Sequence, residues 1–140
     1  MNILTKISVL FFLAAMVLQG EAQEVYELTV TIKDADTNKG KMFIAVYNAE
    51  KNFLSQSFEG AKSEIANKGC TVTFKDLPKG NYAVSIFHDE NDNGKMDTNF
   101  LGIPKEDYGC SNDATGFMGP PKWNDAKFQL KEHKTLTITL

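Results

Sequence analysis

Between Val25 and Ile32 the chain reads VYELTVTI, in which Tyr26, Leu28, Val30 and Ile32 alternate with Glu27, Thr29 and Thr31. Successive side chains of an extended backbone point to opposite faces, so a period of two marks a half-buried strand. The same logic recurs along the chain. CTVTF sets Cys70, Val72 and Phe74 on one face. NYAVSIFH sets Tyr82, Val84, Ile86 and His88 on one face and Ala83, Ser85 and Phe87 on the other. KMFIAVYN, residues 41–48, has few polar interruptions and suits a more buried strand. AKFQL and KTLTITL close the chain in the same style. The stretch 49–69 is mixed and holds a short strand or an irregular turn. No helical periodicity of useful length appears. Turn-forming DADTNKG and DLPKG separate the runs. About seven strands so punctuated predict an all-β fold, a single antiparallel β-sandwich of two sheets.

After His88 the alternation stops for nearly forty residues, and Gly, Pro, Asn and Asp take over. Loops of that length in a compact domain are functional or disordered. Phe100, Leu101, Ile103, Tyr108, Phe117, Met118 and Trp123 lie within it. Such side chains bury enough surface to order a loop. The expectation is one long ordered excursion packed against an end of the sandwich.

The chain begins like a secretory signal. A start with one lysine precedes an apolar run from Ile7 to Leu18, then small residues at Gly20 and Ala22. Cleavage after Ala22 divides the chain into a signal peptide, 1–22, and one domain, 23–140. The apolar run is shorter than the ~20 residues of a spanning helix. The expectation is a secreted or periplasmic protein without stable membrane insertion. Formal net charge is −3 and arginine is absent, so the bidentate phosphate fork is missing and nucleic acid is not an expected partner. An exported chain sits where disulfides persist, so Cys70 and Cys110 form either a bridge or two separately buried thiols.

The segment HDENDNGKMDTN, from His88 to Asn99, carries the chemistry. Counted from Asp89, Asn91 and Asn93 fall at positions 3 and 5, Gly94 at 6, Lys95 at 7 and Asp97 at 9. This matches the first half of a calcium loop, D-x-[DN]-x-[DN]-G. Alternate oxygens converge as the backbone curls, glycine permits the sharp turn, and Lys95 would contribute its carbonyl. An EF-hand carries a bidentate Glu at position 12; here that position is Phe100, and a strand precedes the loop. Missing oxygens would come from Glu106, Asp107 or water. Calcium is thus the one candidate cofactor, bound weakly, at about 10⁻⁴–10⁻³ M. The competing reading is a solvated turn, since Asx residues bond their own backbone and Asn-Gly favours tight turns.

Other groups give weaker signals. His88 adjoins Asp89, but the only other histidine is His133, so a zinc site lacks ligands. Glu90, Asp92, Asp97, Glu106 and Asp107 offer a carboxylate pair for glycoside hydrolysis, against the simpler reading of solvated charge. Ser111 has no nucleophile-elbow pattern. Tyr108 and Trp123, with Glu106, are candidates for contacting a ligand, against the simpler reading that the two aromatic rings are the packing that anchors the long loop.

From Leu77 to Phe128 the chain closely resembles an exported bacterial family, domain of unknown function 2141. The matching blocks are Phe87–Asp97, Gly102–Asn112, Gly119–Pro121 and Ala126–Phe128. Cys110 stands where the family pattern carries an aromatic residue. The resemblance implies an exported β-sandwich of prealbumin-like or immunoglobulin-like kind. Phe74–Val84 is also similar to carboxypeptidase-regulatory and collagen-adhesin B-type repeats, which are accessory modules. The family supplies no established activity, so function is read from the site: the first expectation is a non-enzymatic binding or accessory module, without catalytic residues, whose loop from Asp89 to Trp123 receives a glycan, peptide or envelope protein. A small carboxylate-dependent hydrolase acting on glycans and a purely structural envelope domain are the alternatives.

Overall fold

The computed structural model describes residues 20–140. The expected signal peptide therefore lies outside the described residues except at its end. Among the described residues eight strands form two sheets. In chain order they are β1 (Val25–Lys33), β2 (Lys41–Tyr47), β3 (Glu59–Ser63), β4 (Cys70–Pro78), β5 (Gly80–Asp89), β6 (Tyr108–Cys110), β7 (Phe128–Leu130) and β8 (Lys134–Thr139). Short 3₁₀ turns occupy Glu50–Asn52 and Ser111–Asp113, and a single-turn helix, α1, spans Trp123–Ala126.

The first sheet has the order β4-β1-β8. β4 runs antiparallel to β1, with a bulge between Tyr26 and Leu28, but β8 runs parallel to β1, from Leu28 opposite Lys134 to Lys33 opposite Thr139. The expected seven-strand, wholly antiparallel arrangement is corrected on both counts. The second sheet has the order β3-β2-β5-β6, and β7 pairs with β5 as well.

The alternating residues of the two sheets share one core. Leu28, Val30, Ile32, Phe74 and Leu77 meet Met42, Ile44, Val46, Val84 and Ile86, all buried. Each such Leu, Ile or Val contributes roughly 1.5–3 kcal/mol through burial. Ile138 of β8 reaches β6 at Gly109, where a Cβ would stand 2.8 Å from the Ile138 Cγ2. Glycine thus lets β6 close against the opposite sheet. Gly40, at φ +68, lets the β1–β2 turn lie against the Asp89 backbone; a Cβ there would overlap the Asp89 carbonyl oxygen.

A second, smaller buried cluster lies on the outer face of the second sheet. Tyr47, Ala83 and Cys110 point away from the main core and are covered by Trp123 and Ala126 of α1. The long excursion therefore folds back across a sheet face rather than an end. Its other large apolar side chains are not buried: Phe100, Phe117 and Met118 are each more than nine-tenths exposed.

Candidate functional site

β5 ends at Asp89, which is fully buried. Its two carboxylate oxygens accept the backbone N–H groups of Asn93, at 3.1 Å, and Gly94, at 2.8 Å. A carboxylate buried this deeply needs such donors. The Asn91 and Asn93 side-chain oxygens accept the N–H groups of Asn93 and Lys95. Gly94, at φ +81, makes the turn. Across the loop, Asn91 Nδ2 donates to Asp97 at 2.6 Å, and Asn93 Nδ2 donates to both Asp97 oxygens at 2.9 Å. These amide donors, Asn93 first, hold the Asp97 carboxyl below its usual value. Glu106 joins the group: its Oε2 accepts the Asp97 N–H at 3.0 Å, while its buried Oε1 has no hydrogen-bond partner.

The structure thus gathers Asp89, Asn91, Asn93 and Asp97 and adds Glu106. Lys95 sits in the same turn, donating its backbone N–H to Asn93. Among the described residues no three His, Cys, Asp or Glu side chains are placed to hold a metal. A cation here would draw on the amide oxygens of Asn91 and Asn93 and on backbone carbonyls as well as on carboxylates, as calcium accepts.

His88 is buried, with Nε2 2.7 Å from the Lys39 carbonyl oxygen and its backbone N–H bonded to Asp107. His133 Nδ1 accepts the Glu27 N–H. Each histidine thus has a structural partner in a different part of the fold. Burial, and then Asp36 beside it, pushes the Asp107 carboxyl above its usual value.

The cysteines are both free. Cys110 is opposite Ser85 and belongs to the outer cluster, whereas Cys70 packs against the core between the sheets. The second sheet separates them, so of the two readings, bridge or separate thiols, the structure has separate thiols, with Cys110 buried and Cys70 partly so. Burial pushes the Cys110 thiol up to about 11.

The outer face of the second sheet is a groove of about 1210 Å³, walled by both halves of the excursion. The register fixes its floor. One row across the strands is Lys62, Phe43, Phe87 and Tyr108. The Phe43 and Phe87 rings stack at 4.7 Å, and Lys62 Nζ lies 4.9 Å from the centre of the Phe43 ring. The next row is Gly60, Ala45, Ser85 and Cys110, all small. Aromatic faces beside a strip of small residues make a slot. Leu101, Ile103 and Met118 overhang it from the loops.

The three expected ligand contacts are therefore scattered. Tyr108 lines the groove, half exposed. Glu106 belongs to the acidic loop. Trp123 is a correction: only 8 % exposed, it packs edge-on against Phe53 and anchors the excursion instead of facing a ligand. Sequence reasoning passed over Phe43, Phe87 and the small-residue row. Their signal was present in KMFIAVYN, where apolar residues occupy both strand faces.

The chain belongs to the bacterial family described as "Uncharacterized protein conserved in bacteria (DUF2141)", whose model matches residues 30–139. No curated protein and no solved structure matches it. Among the described residues no helix is long and apolar enough to cross a membrane.

Proposed function

We propose that this protein is a non-enzymatic binding module of the bacterial envelope or its surroundings, a β-sandwich whose outer sheet face receives a ligand. The groove is the observation that carries this reading. It is large, mostly apolar and open, as binding sites for small molecules are. Hydrolysis of the expected kind needs a loop carboxylate in the groove, and none of Glu90, Asp92, Asp97, Glu106 or Asp107 lines it. A neutral apolar dye should therefore bind with increased fluorescence. Gly60→Phe, which projects a ring onto the floor from an edge strand without meeting backbone closely, should abolish that binding. Failure of the dye to bind, or equal binding by both proteins, favours the purely structural reading.

The acidic loop fits a supporting role, with calcium ordering the base of the excursion. The unpartnered Glu106 oxygen, in the group that gathers around Asp97, is what a cation would relieve. At about ten times its Kd, calcium would add ~1.4 kcal/mol, a rise of several degrees in Tm. Glu106→Gln, which keeps an acceptor for the Asp97 N–H, should remove most of that rise in a melt against EDTA. An identical rise in the variant would place calcium elsewhere.

A further inference from the structure

We infer that the groove takes an amphiphile with a long apolar body and an anionic head, of the fatty-acid kind, and that Lys62 receives the head. This rests on the binding reading above and names its ligand class.

Charge is the first argument. Lys62 is the sole charged side chain lining the groove among the described residues. Lys41 and Lys79 are paired with Glu64 and Glu24, but Lys62 has no carboxylate partner among the described residues and lies over the face of Phe43. A groove with one cation and no carboxylate is complementary to one negative charge.

The floor argues for an apolar body. Tyr47 and Ser85 bond each other at 3.1 Å, so their hydroxyls ask little of a ligand, and the other two lining hydroxyls, Ser57 and Tyr108, belong to exposed residues that water can serve. From Lys62 on β3 to Tyr108 on β6 the row crosses three strand spacings, ~14 Å. That distance suits an acyl chain rather than a single ring.

The rim supplies the third argument. Leu101 and Met118 overhang the groove, and their neighbours Phe100 and Phe117 stand in water. The tip bearing Phe100 and Leu101 is held rigid, because Asn99 accepts the N–H groups of both Leu101 and Ile103. Exposed apolar surface on this scale marks a binding site.

The test is displacement of a neutral apolar dye from the purified protein by dispersed carboxylates of increasing chain length and by the matched alcohols and amines. Affinity should rise about fourfold per added methylene until the groove is full. A carboxylate should outbind its alcohol about two- to fivefold, the scale of an exposed ion pair. Lys62→Met, which keeps the apolar stem, should erase that preference and leave the alcohols unchanged.

Alcohols or amines binding as well as acids, or Lys62→Met weakening all three alike, would overturn the inference while the groove reading stands. No displaceable dye binding at all would overturn both. Binding to anionic vesicles but not to dispersed acid would overturn it in favour of a membrane-docking rim.

Discussion

Ser111 shows how much a single hydroxyl can organise. β6 covers β5 at Ser85–Phe87 and β7 covers it at Gly80–Tyr82, leaving Val84 in the gap. Ser111 Oγ fills it, accepting the Val84 N–H at 2.9 Å and donating to the Ala126 carbonyl at 2.6 Å. Ser111→Ala strands a buried donor and should cost ~1–3 kcal/mol in denaturant unfolding. Two carboxyls respond to pH in opposite senses. Asp97 is held low, so its charged form stabilises the fold above the unfolded value of 3.8, and that support is lost as pH falls through the folded value. Asp107 is held high, so the folded chain keeps its proton longer, and its ionisation weakens the fold above the folded value. Asp107→Asn should therefore raise Tm near neutral pH, with the gain shrinking as pH is lowered; a gain that grows on acidification would contradict this assignment. Alkylation in denaturant without reductant should modify both cysteines, while the native Cys110 thiol, buried and pushed up to about 11, should react far more slowly.

At the scale of elements, the strands that alternate clearly were legible. β1, β4, β5 and β8 fall where the alternating runs place them, because each has one face in the core, and β2 falls where the nearly unbroken apolar run KMFIAVYN places it. β3, with sequence EGAKS, offers no such contrast, as an edge strand need not. β7 lies within the AKFQL run, whereas β6 spans three residues among glycines and polar turns, too short for a period to show. The position of β6 depends on contacts such as Gly109 against Ile138. Gly109→Ala should destabilise by ~1–3 kcal/mol through overpacking. Adding Ile138→Ala, which removes the Cγ2 methyl at the crowded point, should cost less than the separate losses combined; strict additivity in the double-mutant cycle would show that the two strands do not press on each other. The calcium half-motif was legible in the same local way, since its turn is made by neighbours in sequence. Glu106 enters it from beyond the Asp97–Lys105 hairpin, and only the fold reveals which oxygen is left without a partner.

For the whole molecule, what escaped the sequence is what requires several strands at once. The groove's aromatic row takes one residue from each of four strands, so no stretch of chain displays it. The parallel pairing of β8 with β1 is likewise silent, because periodicity specifies which face a residue takes, not which neighbour its backbone finds. That pairing bears on when the chain can fold. Leu28 and its partner Lys134 are roughly a hundred positions apart, and β1 is the middle strand of its sheet. A ribosome delivers β1 early and β8 last. Until β8 emerges, one edge of β1 is bare and the core lacks Ile138. Closing so long a loop is slow. A nascent chain built this way leaves the central strand of that sheet with one edge unpaired until β8 arrives, and the sheet acquires its lock only then.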